Sequence, residues 1–270
     1  MSLSPLCGSI ALAALLPAAL LSRGQLERGA LVAYWVSLLL AVTGPTLWAY
    51  AIHVGGWRTG LAPALWLAIS TTALLFAVMA LLDPVIRRLT PLLIGYLALL
   101  GLLALAWQPA PERPMRAAVW PAWLQVHILV ALIAYGLLTL AAVAGAGVVL
   151  QERALRRKRP TAFTRSLPAI ADGERLQAAL LIAVEAVLGL TLVSGVVLNR
   201  EEGLTWLTAD HKTVLSLLAF LVIGVLLVLH ARFGLSGRRA ARYGLLAYLL
   251  VTLAYPGVKF VTDVVIGRVS

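Results

Sequence analysis

The chain has 270 residues, of which 61% are hydrophobic and only 12% are Asp, Glu, Lys or Arg, about half the charged fraction of an ordinary soluble protein. Its 22 Lys and Arg against 11 Asp and Glu give a formal net charge of +11, but so apolar a chain excludes a soluble nucleic-acid-binding domain. Cys7 is the single cysteine, which excludes an internal disulfide, a Cys-x-x-Cys redox pair and a Cys-x-x-Cys-His haem-attachment site.

A spanning helix needs about 20 mostly apolar residues, and eight stretches qualify. The first runs from Leu3 to Leu21; no Lys or Arg precedes it and Arg23 follows, the reverse of a signal peptide's basic start, so it reads as a span. The second, Ala30 to His53, ends on a histidine. The third and fourth are Leu61 to Leu82 and Leu89 to Trp107, and the proline-rich "WQPAPERPMRAAVWPAW" follows. The fifth, Leu124 to Leu150, opens as "LQVHILVALIAY" with His127 in its first turn. The sixth, Leu176 to Leu198, carries Glu185 near its middle. The seventh runs from His211 to Phe233 with His230 near its end, and the eighth, Ala240 to Ile266, is interrupted by Lys259.

The predicted fold is therefore all-α: a polytopic membrane helical bundle of about eight transmembrane helices, forming a single membrane domain over residues 1–270. Only short loops remain outside the spans, so any chemistry belongs inside the bundle or at its rims.

Lys and Arg near span ends are retained on the cytoplasmic side. The loops after spans one, three, five and seven hold 15 of the 22: Arg23, Arg28, Arg87, Arg88, Arg153, Arg156, Arg157, Lys158, Arg159, Arg165, Arg175, Arg232, Arg238, Arg239 and Arg242. Both termini are thus expected outside. The basic run "ERALRRKRP" reads as a juxtamembrane segment against anionic lipid, with no nucleic-acid partner.

In this topology His53, His127 and His211 lie at the outer face, whereas His230 lies near the inner end of span seven, nineteen residues and about 28 Å along the helix from His211. Trp48, Trp57, Trp66, Trp107, Trp120, Trp123 and Trp206 also fall in the outer half or outer loops, with only Trp35 toward the cytoplasm. A histidine at a span mouth can anchor the helix at the water line, line a polar path or hold a metal. Imidazole suits haem iron, and two axial histidines leave no open site for oxygen chemistry. A haem also needs an apolar slot and cationic groups for its propionates. Lys259, Lys212, Arg58 and Arg200 are candidates for the latter. Three histidines on one rim, with no Cys-rich or carboxylate-rich cluster, point to haem over zinc.

The segments "VHILVALIAYGLLTLAAVAGAGVVLQERALRRK", "LPAIADGERL", "LTLVSGVV", "HKTVLSLLAFLVIGVLLVLHARFGLSGRRA" and "LAYPGVKFV" resemble, in order and spacing, the YpjD branch of the cytochrome c assembly superfamily, which includes CcsA and CcmC. The likeness runs from about Leu124 to the C-terminus and makes residues 121–270 the assembly-like core behind four N-terminal spans in 1–120. It implies a multi-pass protein of the bacterial inner membrane that binds non-covalent haem b for cytochrome c maturation, with apocytochrome c or other maturation proteins as partners, and no enzyme in the narrow sense. It implies that His127, with Tyr135 eight residues on, matches the external haem-ligand histidine segment, and that His230 in "LVLHAR" matches an intramembrane histidine. "TWLTADHKT" keeps Trp206, Asp210, Lys212 and Thr213 of the family's tryptophan-rich external loop but not its dense aromatic signature. No histidine follows His230, so His53 or His211 would stand in for the family's second external ligand. His53 is the expected partner of His127 on the iron.

Glu185 falls outside the resemblance. An ionisable residue within a span is a functional candidate, and it supports a second reading as a proton- or solute-coupled transporter. A third reading, a membrane scaffold, rests on the small-residue stripe Ala144 to Gly147.

Overall fold

The computed structural model describes residues 4–21, 28–54, 56–108, 113–114, 122–201, 211–234 and 237–257. In chain order the elements are α1 (Ser4–Ala13), α2 (Leu16–Leu21), α3 (Arg28–His53), β1 (Arg58–Thr59), α4 (Leu61–Leu82), α5 (Pro84–Arg87), α6 (Thr90–Ala106), β2 (Arg113–Pro114), α7 (Ala122–Arg156), α8 (Ala162–Ser166), α9 (Ile170–Glu201), α10 (His211–Phe233) and α11 (Gly237–Thr252), which closes in a π-helical turn, Leu253–Gly257.

The protein is a polytopic helical membrane protein. Five of the expected spans are single helices long and apolar enough to cross a membrane: Gly29–His53, Leu61–Leu82, Ala122–Arg156, Ile170–Leu198 and Thr213–Phe233. In the other three, the described residues form shorter or interrupted helices. The first is broken into α1 and α2 at residues 14–15, just ahead of Pro17, which has no N–H to return to the preceding turn. The fourth is the 17-residue α6. In the eighth, α11 gives way to a π turn that contains Pro256; a wider turn lets the chain pass a residue that cannot donate.

Two compact units divide the chain. One comprises Met1–Met115, Arg153–Ala169 and Lys259–Ser270, the other Arg116–Glu152 and Ile170–Val258. In the first unit, α3 passes close to the break between α1 and α2, where a side chain at Gly44 would lie 2.6 Å from the Ala14 Cβ. Small residues at such crossings let backbones approach where no water exists to drive association. Asp83 ends α4 and caps α5, accepting from the Val85 N–H at 2.8 Å. Arg87 then donates to the Ala80 carbonyl at 2.9 Å and lies over the Trp35 ring at 5.3 Å, so a residue counted only as an orientation signal also ties α4 to α3. Tyr34 and Thr90 join α3 to α6 by a buried hydrogen bond of 3.0 Å. The loops after α3 and α6, silent in the hydropathy, are linked by β1 and β2, which pair antiparallel with Arg58 opposite Pro114. Most of the proline-rich stretch after Trp107 lies outside the described residues. Trp66, placed in the outer half by the topology, is fully buried in this unit's core.

The basic run after α7 has a defined backbone. Arg159 N–H bonds the Ala154 carbonyl and Lys158 N–H the Leu155 carbonyl, a paired closure that requires a left-handed residue. Lys158 takes that position with φ of 51°. Cations suit this end, where the helix dipole is negative. In the second unit α7 and α9 meet antiparallel: His127 meets Ser194, Gln177 stands over Gly145, and Val148 over Gly173.

Candidate functional site

His127 lies in the second turn of α7, with Trp123 one turn before it on the same face. Its Nδ1 is 2.7 Å from the Ser194 hydroxyl oxygen of α9. With that hydroxyl's proton on the Thr191 carbonyl at 2.9 Å, Nδ1–H donates to Ser194 and Nε2 keeps the lone pair. Histidines that bind metals are held this way: a hydrogen bond at one nitrogen sets the tautomer and aims the other. The Trp123 indole donates to the Ser194 carbonyl at 3.3 Å. A Cβ at Gly195 would lie 3.4 Å from the His127 Cε1, ordinary contact distance, so the imidazole packs directly on this turn of α9. Ser194 thus supplies the acceptor and Gly195 the adjoining surface at one level of α9.

His53, in the last turn of α3, repeats the arrangement in the first unit. Its Nδ1 donates to the Ala49 carbonyl at 2.7 Å, one turn back. Nε2 is buried and has no hydrogen-bond partner, an uncommon state for a polar atom unless something else takes it up. The Trp57 ring packs on the imidazole with centroids 4.4 Å apart. His53 and His127 belong to different units.

The remaining candidates are placed as follows. Tyr135 stands eight residues, about 12 Å, along α7 from His127, and its hydroxyl meets that of Tyr248 on α11 at 3.2 Å. His211 and Lys212 open α10. His230, near the other end of α10, lines a cavity of about 20 Å³ with Glu174 and Gln177, room for one water. Trp206, Asp210 and Lys259 lie outside the described residues. Glu185 faces α10 at Gly224, where a Cβ would come within 2.9 Å of its Oε1, while its Oε2 is buried and unpartnered.

Sequence reasoning missed Ser194, Tyr248 and Gln177. A Ser-Gly pair inside an apolar helix is a visible mark of a close crossing, but nothing local says what crosses there. Gln177 is 2% exposed, and its amide nitrogen lies 2.6 Å from where a Cβ would sit on Gly145 of α7 and also on Gly244 of α11.

The family model described as cytochrome C assembly protein matches residues 31–266. The chain is also similar to a protein of Azospirillum brasilense described as an uncharacterized 28.8 kDa protein in nifR3-like 5'region, at 49% identity over 261 residues, which cover 95% of this chain and 96% of that one. No solved structure matches it.

Proposed function

The chain belongs to the cytochrome c assembly protein family, and from that premise we propose that it binds haem b non-covalently, with His127 and His53 each an imidazole ligand, and handles it for cytochrome c maturation at the outer face of a bacterial inner membrane. Family membership supports the role in cytochrome c maturation. The observation that carries the haem reading is the state of His127: Nδ1 is engaged with Ser194, which leaves Nε2 as a fixed, neutral donor of a lone pair. His53 has the same polarity, with Nδ1 held by its own helix and Nε2 buried without a partner. Haem supplies the prosthetic group that cytochrome c maturation consumes. The protein's own share is to hold imidazoles in the ligating tautomer, present Trp123 and Trp57 as flat apolar surfaces, and keep the group from water. Lys212 and Lys259 remain the proposed propionate partners, and an apocytochrome or another maturation protein the proposed recipient. Within the family, the order of the matching segments favours the YpjD branch.

The detergent-purified protein is expected to carry haem released intact as pyridine haemochrome, with a six-coordinate, low-spin b-type spectrum in both oxidation states. Preparations from haem-replete cells that contain no haem would sink this reading.

The unpartnered Oε2 of Glu185 favours a second reading, proton coupling through α9. Glu185→Gln keeps shape and hydrogen-bonding capacity but removes the titratable group. On the haem reading this variant retains haem content and cytochrome c yield within about twofold of wild type; lost activity with haem retained would favour proton coupling.

A further inference from the structure

Only residues 234–236 separate α10 from α11, so the two form a tight helical hairpin. Gly234 makes the turn, with φ of 61° and its N–H bonded to the His230 carbonyl at 3.0 Å. Along the outer side of the hairpin runs a groove of about 270 Å³ lined by Leu221, Val225, Leu229, Tyr243 and Leu246 among others. It is open: Val225 is 58% and Tyr243 47% exposed.

Helical spacing leads both walls of this groove into arginine at the same end. Arg239 stands four residues before Tyr243, Arg242 four before Leu246, and Arg232 three after Leu229, so each lies on the groove-lining face of its helix. All three are exposed, and neither α10 nor α11 contains an acidic residue to offset them. An apolar channel ending in three exposed guanidinium groups is complementary to one kind of amphiphile. We propose that this groove is a binding site for an anionic phospholipid, with an acyl chain along Leu221, Val225 and Leu229 and the headgroup phosphate between Arg239, Arg242 and Arg232. The positive-inside distribution puts this hairpin turn at the cytoplasmic leaflet, where anionic lipids and basic interhelical pockets meet. A planar guanidinium takes a phosphate in a two-pronged hydrogen bond, so the site distinguishes headgroups as well as charge.

Native mass spectrometry of the full-length purified protein, with dioleoyl-phosphatidylglycerol or dioleoyl-phosphatidylcholine added, counts the retained lipid. Wild type is expected to hold the anionic lipid at least about tenfold more tightly than the zwitterionic one. Arg239→Gln/Arg242→Gln should lower phosphatidylglycerol retention on the order of thirtyfold, the effect of two surface arginines. Arg88→Gln/Arg165→Gln, which neutralises two exposed basic residues in other loops, should leave it within about twofold. Val225→Trp fills the groove and should remove the bound lipid with helical content unchanged by circular dichroism; should that variant not fold, the arginine pair decides alone. Equal retention of the two lipids by wild type, or undiminished phosphatidylglycerol on the arginine variant, overturns the proposal. So does a wild-type dimer that Val225→Trp dissolves while lipid retention stays, because the occupant would then be a second copy of the chain.

Discussion

His127→Ala is expected to strip the protein of most of its haem, by about tenfold or more at equal membrane level, with exogenous imidazole partly restoring it. The alanine removes the nitrogen that Ser194 aims and opens a gap against Gly195 into which free imidazole fits. Ser194→Ala tests the aiming itself. The imidazole remains, but Nδ1 loses its acceptor, and loss of a ligand's supporting hydrogen bond lowers affinity roughly tenfold to a hundredfold. Ser194→Ala should therefore keep the six-coordinate spectrum at saturating haem while haem dissociates faster, and Ser194→Thr, which keeps the hydroxyl, should come closer to wild type. His53→Ala is expected to match His127→Ala, and His211→Ala to lose little. Haem content and spectrum unchanged in His127→Ala would remove the centre of the functional reading. Loss in His127→Ala with full retention in His53→Ala would reassign the second ligand without touching the first.

The second large effect is expected at Gln177, and it is an effect of two substitutions together. Gly145→Ala alone puts a methyl 2.6 Å from the Gln177 amide nitrogen, and so does Gly244→Ala from a different helix. The end of a glutamine can swing away from one methyl toward the space the other glycine leaves, and each alanine recovers roughly 1 kcal/mol of helix propensity. Each single variant should thus lie within about 1 kcal/mol of wild type. With both methyls present the amide has lost both places, and the side chain is 2% exposed. The helices must part, at a cost of order 1–3 kcal/mol for overpacking. The double variant should therefore exceed the sum of the singles by about 1–3 kcal/mol, the range of coupling through a shared contact. Gln177→Ala in the double background should restore stability, because it removes the group on which both methyls act. Unfolding in graded mixed micelles measures this cycle; strict additivity would show that the amide escapes elsewhere.

Part of this could be read without coordinates. Burial in a bilayer is a property of each segment, so a run such as Ala122 to Leu150 declares itself by composition, and arginine counts between runs set the orientation expected for them. His53 and His127 were legible because a polar ring at the mouth of an apolar run is conspicuous. Pro17 was equally legible as a breaker, and reading through it made one span of what the protein folds as α1 and α2.

Tertiary structure decided which face of each helix packs. In water an apolar stripe identifies the inner face, but lipid is as apolar as a protein core and the stripe vanishes. Along α10, Ile223 is fully buried while Val225, two residues on, is mostly exposed, and nothing in their chemistry separates them. For the same reason the partner of His127 lies 67 residues away on α9 and is fixed by the register of two antiparallel helices. Gln177 reads as one polar residue near a span end until two glycines from α7 and α11 close on its amide. Composition determined that these helices enter the membrane; crossings at Ser194, Gly145 and Gly244 determined which polar atoms are held and which are left open.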